Sequence, residues 1–471
     1  MPAALLPEVV KFNNKNNSSF GKEGLLYVPA EFKRRGHPDR LADSVASAAG
    51  STLLELDPAA RFDIQVVVHF GPVHAGNGWG QTPLVLASSP IVLICGQLGT
   101  SANREDYEQK IDATVRQVFR SVGYDSTNTF DPNDIHVIKS FNNQSADIAA
   151  GIDREGIIHG AGDATISIAY ASSQTSNYLN ASHALALAVN QQLDAAFEQG
   201  SINGLQPDGK AQVEVGFSSR ENHFPVGPKR ASDIIVAAQH SAGVDRQQFV
   251  KNIQGLVRSV NELIVTPAGK RLNLIKSSTD IIVDGAGDFV IGGPVADTGV
   301  SGRMDSLYVS GATRTYGGGL LVGRDVTKTD VSCLLSARCI AIQLVNGFAK
   351  DAQVKITYAI GATEPASVIV TARGSKYSDR QLSAAICEAF DLSPDGMKKS
   401  LDLKAKDFAS IARNGFIGVA ANGSHKWESV DAEKIRIMRQ HLAKGRKISP
   451  NGQGGQSGQP QAKYRAMIGV G

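Results

Sequence analysis

Apolar side chains recur three and four positions apart in several stretches of the chain, and between those stretches they alternate with polar ones. Leu41, Val45 and Leu53 mark a first helix, and Tyr107, Ile111, Val115, Val118, Phe119 and Val122 mark a second that stops at Gly123. The same spacing predicts helices over 183–199, 331–347 and 378–391, and one over 245–263 that carries Phe249, Ile253, Leu256 and Val260. Alternation at Phe62/Ile64/Val66/Val68/Phe70, Val213/Val215/Phe217 and Val354/Ile356/Tyr358/Ile360 predicts strands with one apolar face. Three helix pairs separated by such strands imply an α+β protein of three units, each a sheet covered by helices on one face. The other sheet face must meet another unit or another subunit, because an exposed apolar sheet associates.

A chain of 471 residues exceeds the size at which single cores stop growing, in keeping with several units. The expected boundaries are a flexible arm over 1–23, α+β domains over 24–155, 156–285 and 286–447, and a flexible tail over 448–471, with room for the domains to interleave in sequence. The tail reads from its run of Gly, Gln, Ser and Pro, and the arm from its Asn-rich segment at 11–19.

Charge narrows the partners. Forty-eight basic residues against 45 acidic ones leave a net charge of +3, so no global field favours nucleic acid or an anionic membrane. Any anion binding must be local. The four cysteines lack Cys-x-x-Cys spacing, which argues against common zinc and redox motifs and for buried thiols in a reducing compartment. The run from Leu84 to Leu98 is interrupted by Ser88, Ser89 and Pro90 and is too short for a bilayer, and the first residues do not read as a secretory signal. A cytoplasmic protein is expected.

Candidate chemistry concentrates in two places. Gly36-His37-Pro38-Asp39-Arg40 sets an imidazole, a carboxylate and a guanidinium at a helix start, where free N–H groups and the dipole favour anions. The plain alternative is a turn with Pro38 opening a helix. The second place is 284–330, where glycine-rich segments surround Asp297, Arg303, Arg324, Lys328 and Asp330, a toolkit for a metal-bound polyphosphate that is not a Walker loop. Pro207-Asp208-Gly209-Lys210 reads as a turn leading into a strand. Gly160-Ala161-Gly162-Asp163 reads as a bulge or as close packing against a neighbouring chain, with Asp163 capping a turn.

Together these motifs resemble the S-adenosylmethionine synthetase family. The resemblance spans about residues 24–430. It rests on GHPDRLAD (36–43), NNQSADIAAGID (142–153), GAGD (160–163), QPDGKAQV (206–213), AAQH (237–240), FVIGGPVADTGVSGR (289–303), GGGLLVGRD (317–325), YAIG (358–361), FDLSPDG (390–396) and KWE (426–428), in family order. It implies three pseudo-symmetric α+β domains in a homodimer with active sites between subunits, and leaves a tetramer open. It also implies that methionine sulfur attacks C5′ of ATP and that the expelled tripolyphosphate is then hydrolysed.

By the family pattern His37 meets the leaving oxygen, Asp39 and Asp330 bind Mg2+, and Lys210, Arg303 and Arg324 hold phosphates. Asp208 and Phe289 place the nucleoside. Asp297, Lys328, Gln97 and Gln144 receive methionine, Asp297 serving ATP as well, and Glu31 falls on an active-site glutamate. Several positions depart from the pattern. Arg40 and Arg324 replace lysines. Met304 replaces a phosphate-contacting lysine, and Gln97 a glutamate that contacts the methionine amino group. Gln65 replaces the glutamate of a potassium site, which puts potassium activation in question. Asp288 stands where the family has an arginine, and 71–95 resembles an insertion. These departures leave open a paralogue that uses another nucleophile or releases tripolyphosphate, and a weakly catalytic regulatory subunit.

Overall fold

The computed structural model describes residues 24–71, 74–75, 84–85, 89–143, 160–403 apart from 312, 315, 316 and 318, then 408–409, 411, 413, 415–418 and 425–445. The arm, the tail and Gln144 lie outside the described residues.

In chain order the strands are β1 (Leu26–Lys33), β2 (Arg61–Gly71), β3 (His74–Ala75), β4 (Leu84–Val85), β5 (Ser89–Gly99), β6 (His136–Asn143), β7 (Thr165–Ser172), β8 (Leu205–Glu221), β9 (Phe224–His240), β10 (Asp280–Val283), β11 (Gly299–Val300), β12 (Asp351–Tyr358) and β13 (Ser367–Arg373). The helices are α1 (Pro38–Leu56), α2 (Arg104–Val122), α3 (Ala181–Glu198), α4 (Arg246–Ser259), α5 (Asp305–Ser310), α6 (Thr329–Gly347), α7 (Asp379–Ala389), α8 (Pro394–Leu401) and α9 (Ala432–Gly445).

The larger sheets run β1-β8-β9-β10, β11-β2-β5-β6 and β13-β12-β7. The first two repeat one pattern, with two antiparallel pairings followed by a parallel one. The third has the two antiparallel pairings. Each sheet takes a strand from a distant part of the chain: β1 joins β8, β11 joins β2, and β7 joins β12. The units are therefore interleaved rather than strung one after another.

Each sheet has one helical side. Phe62, Ile64, Val66 and Val68 of β2 are buried in one core with Leu41, Val45 and Leu53 of α1 and Ile111, Val115 and Phe119 of α2. Removing the Phe119 ring from such a core costs about 3–5 kcal/mol. The residues between them on β2, Asp63, Gln65 and Val67, point to the opposite face. The second core runs continuously under the remaining helices and joins the other two units.

Local signals account for most helix starts. Asn103 caps α2 by accepting from the N–H groups of Glu105 and Asp106, and Gly123 ends it at φ 104°. Ser378 and Gln381 form a reciprocal capping box at α7. The helix expected over 245–263 ends earlier, at Ser259, and continues as a 3-10 turn over Val260–Glu262 that keeps Val260 buried. Helices α8 and α9 went unanticipated, although Ser393-Pro394 carries a start signal, with Ser393 accepting from Gly396 N–H.

Two further expectations are corrected. Pro207–Lys210 is part of β8 rather than a turn. A register shift between Leu205 and Gly209 absorbs it, and Gly209 lies so close to Ala237 that a Cβ would stand 2.3 Å from that carbonyl oxygen. Of the four free cysteines, Cys333 is buried and Cys387 is exposed, so burial does not describe them as a group.

Candidate active site

The candidate residues sit on the polar faces of the sheets, starting at the exit of β1. Alternation on β1 buries Val28, Ala30 and Phe32 and turns Glu31 and Lys33 the other way. Lys33 pairs with Lys210 of β8, and Glu31 with Gln212. Lys210 Nζ lies 3.6 Å from Glu31 Oε2, and the Gln212 amide donates to the same carboxylate.

The chain then turns into α1. Gly36 packs on Pro207 so tightly that a Cβ would approach its carbonyl within 2.5 Å, and Tyr124 Oη donates to the Gly36 carbonyl at 2.6 Å. A side chain at 36 would push the two loops apart. The fully buried Arg34 fastens the same junction by donating to Asp194 Oδ1 at 3.0 Å and to the Asp208 carbonyl at 3.1 Å.

His37 is the N-cap of α1, and its Nδ1 accepts from Asp39 N–H at 3.2 Å. Burial and the neighbouring Lys33 ammonium press its pKa down to about 3, so the ring is neutral near pH 7. With Nδ1 accepting, the proton belongs on Nε2, which leaves one N–H donor for a ligand. Asp39 accepts from Lys33 Nζ at 2.7 Å and from Val300 N–H at 3.1 Å, and Arg303 lies 3.7 Å away. Burial alone would raise the Asp39 carboxyl, but Lys33 and the Val300 N–H outweigh it and hold the group below the usual carboxylate range. Gly299 permits this contact, since a Cβ there would sit 2.0 Å from the Pro38 carbonyl oxygen.

Asp208 closes this first cluster on one side. It is buried and accepts from Gly293 N–H at 2.7 Å and Gly209 N–H at 2.6 Å, yet burial lifts its pKa to about 6. Phe289 is tied on both sides to His240, whose Nε2 accepts from Phe289 N–H at 3.2 Å and whose N–H donates to the Phe289 carbonyl at 2.9 Å. Asp297 is exposed near the turn at Gly293, which accepts the Asp297 N–H at 3.1 Å.

A second cluster forms around Arg324. Its guanidinium pairs with Asp330, with Asp63 at 3.0 Å and with Asp163 at 3.7 Å. Asp330 also accepts from Thr165 Oγ1 at 2.9 Å, and burial raises its carboxyl despite Arg324. A Cβ on Gly319 would meet Asp330 Oδ1 at 2.0 Å, so the glycine loop lies directly over that carboxylate. Lys328 stands at the N-cap position of α6, two residues before Asp330, and Gln97 is exposed opposite Asp63 on β5. Gly160 and Gly162 pack within the chain, against Gly361 and Thr327.

Among the described residues the two clusters share no ion-pair partner. The first attaches through Val300, which pairs with Val67 of β2, and the second through Asp63, four residues back along that strand. Four strand residues span about 13 Å. Among the described residues no three His, Cys, Asp or Glu side chains converge as a metal site. Asp39 and Asp330 thus belong to different clusters within one chain.

Known proteins bear on this arrangement. The central-domain model of S-adenosylmethionine synthetase matches residues 158–289, and its C-terminal-domain model matches 291–429. The S-adenosylmethionine synthase of Lacticaseibacillus casei is 32% identical over 415 residues, 85% of this chain and 95% of the relative. S-adenosylmethionine synthase 1 of Rhodospirillum rubrum is 32% identical over 409 residues, 86% and 96% of the two chains. The chain belongs to the S-adenosylmethionine synthetase family.

The structure gives each departure from the family pattern a setting. Met304 is fully buried in the core rather than beside Arg303 in solvent, so its thioether is packing material. Arg40 is buried as well, donating to the Lys33 carbonyl at 3.1 Å and the Arg413 carbonyl at 2.6 Å, with its guanidinium over the rings of Phe32 and Tyr308. It braces the helix start. Asp288 is exposed and lies 3.4 Å from Arg246, a cation that offsets the reversed sign. Gln65 bonds to Asp63 at 3.2 Å and accepts from Ser301 at 3.4 Å, offering a neutral oxygen where the family pattern has a carboxylate.

Sequence reasoning missed Lys33, Asp63, Asp43 and Asp305. Lys33 was legible in the alternation of β1. Asp43 and Asp305 are buried posts of the loop that carries Arg303: Asp43 accepts from Gly302 N–H at 2.7 Å and Asp305 from Leu321 N–H at 2.9 Å. Burial, reinforced by Asp305, raises the Asp43 carboxyl well above its ordinary range.

Proposed function

We propose that this chain joins ATP and L-methionine into S-adenosylmethionine. The observation that carries the reading is His37, a neutral imidazole whose remaining N–H is free to donate, set among Lys33, Lys210, Asp39 and Arg303. A sulfur lone pair attacks C5′, the C5′–O bond breaks, and the electron pair leaves with tripolyphosphate. Thioether sulfur needs no general base, so the barrier falls through alignment and through stabilising the departing charge. His37 Nε2–H donates to the leaving oxygen, and Lys210, Arg303 and Arg324 hold the phosphate oxygens. Asp208 and Phe289 place the nucleoside, while Asp297, Lys328, Gln97 and Gln144 receive the amino acid. Water then cleaves the tripolyphosphate to phosphate and diphosphate.

Asp39 and Asp330 fit Mg2+, a hard cation that takes one or two carboxylates together with phosphate oxygens and water. Bound there, it would supply positive charge against the polyphosphate. The division of these carboxylates between two clusters supports a homodimer in which the His37 cluster of one copy faces the Asp330 cluster of the other. Gln65 offers a potassium ion one neutral oxygen, so weak or absent potassium activation is part of the reading.

Purified protein incubated with Mg2+, ATP and methionine tests this by mass spectrometry. S-adenosylmethionine with phosphate and diphosphate is expected. ATP binding without S-adenosylmethionine, while another thioether or thiol is adenosylated, would overturn methionine as the acceptor.

A further inference from the structure

On the helical side of the α1–α2 unit, away from the polar sheet face, a cavity of about 1010 Å3 opens between the two helices, Glu198 and the segment at 409–413. Four arginines line it, Arg35, Arg116, Arg120 and Arg413, against the single lining carboxylate of Glu198. Asp194, behind Arg35 at 3.8 Å, offsets one more of these charges, which leaves a local excess of positive charge in a chain whose net charge is only +3.

Arg35 and Arg413 are ion-paired, Arg35 also with Asp194 at 3.8 Å, whereas Arg116 and Arg120 are held by neutral acceptors. Glu198 is shared between Arg35 and Arg413, the latter at 3.1 Å. Arg116 donates to the carbonyls of Asp112 at 2.9 Å and Ile135 at 3.1 Å, and Arg120 to the Asn133 amide oxygen at 2.6 Å. These acceptors are neutral, so they orient the guanidinium groups and leave the charge uncompensated. The nearby carboxylate of Asp112 is taken by Lys139. Arg116 and Arg120 are also like charges at i and i+4 on α2, a pairing that costs helix stability unless something else is gained. Guanidinium forks on two walls suit phosphoryl oxygens, and the volume suits a ligand of nucleotide size.

We propose that this cavity binds a small anion carrying several phosphoryl groups, as a site separate from the polyphosphate site on the sheet face. The shared chemistry is a phosphate chain, whether inorganic or part of a nucleotide.

The test is equilibrium dialysis of the full chain carrying Lys210→Ala and Arg303→Ala, which weakens the sheet-face site, with inorganic tripolyphosphate as the probe. Salt-sensitive, stoichiometric binding is expected. Adding Arg116→Ala and Arg120→Ala should weaken it about tenfold or more, since contacts between charged groups are lost. Equal binding of ATP assigns recognition to the phosphate chain, and tighter ATP binding assigns it to a nucleotide. If Arg116→Ala disturbs folding, Arg120→Glu alone, at an exposed position, should still weaken the probe about tenfold. Absence of probe binding, or binding unchanged by the arginine substitutions, overturns the proposal.

Discussion

Lys33 and Lys210 stand directly opposite one another on β1 and β8, two cations on one sheet face, with Asp39 2.7 Å from the first and Glu31 3.6 Å from the second. Like charges in this register destabilise a sheet, so the pairing makes sense as a seat for a polyanion. Lys210→Met should leave the fold intact, and its thermal stability should rise by up to about 1 kcal/mol. Turnover should fall about a hundredfold or more, because a charge-assisted phosphate contact is lost where charge develops. Melting curves measured beside product formation check both halves.

Met304 carries a prediction of opposite sense. Restoring the family lysine there would place an ammonium in a fully buried site, so Met304→Lys should cost about 3 kcal/mol or more and give no gain in turnover. Met304→Leu conserves volume and should cost less than about 1.5 kcal/mol. Chemical denaturation of the two variants separates packing from charge.

Asp208 gives stability a pH dependence of known sign. Its folded pKa, about 6, lies above the ordinary value of 3.8, so the folded state favours the protonated form. Its contribution is present in full below about pH 4 and is lost as pH rises through about 6, on the order of 2–3 kcal/mol. Asp208→Asn should remove that component, and its unfolding free energy should vary less than that of the unsubstituted protein between pH 4 and 7.

Arg40 should not tolerate its family counterpart. Lysine retains the charge but not the fork that reaches the carbonyls of Lys33 and Arg413, nor its stacking over Phe32 and Tyr308. Arg40→Lys should lower stability by about 1–2 kcal/mol, measured by thermal melting.

Much of this was legible in the residues. The spacing of Tyr107, Ile111, Val115 and Phe119 predicts a helix because its apolar stripe is continuous, and the two-residue period of β2 separates its core face from the face carrying Asp63 and Gln65. What escaped depends on long-range pairing. Nothing local in Leu26–Lys33 says that it joins β8, so Lys33 could not be placed opposite Lys210, nor could Pro207–Lys210 be recognised as strand. The burial of Met304 and Arg40 escaped for the same reason, since their surroundings come from segments far along the chain. Motif order named the candidate residues, and the fold divides them into two clusters.

That division is the centre of the account, and mixed subunits test it most directly. His37→Ala and Asp330→Asn variants should each be inactive alone. Co-expressed, they should recover a substantial fraction of S-adenosylmethionine formation, because one of the two sites in a mixed dimer would unite an intact His37 cluster with an intact Asp330 cluster. Isolated mixed dimers as inactive as either parent would contradict an active site built from two copies of the chain.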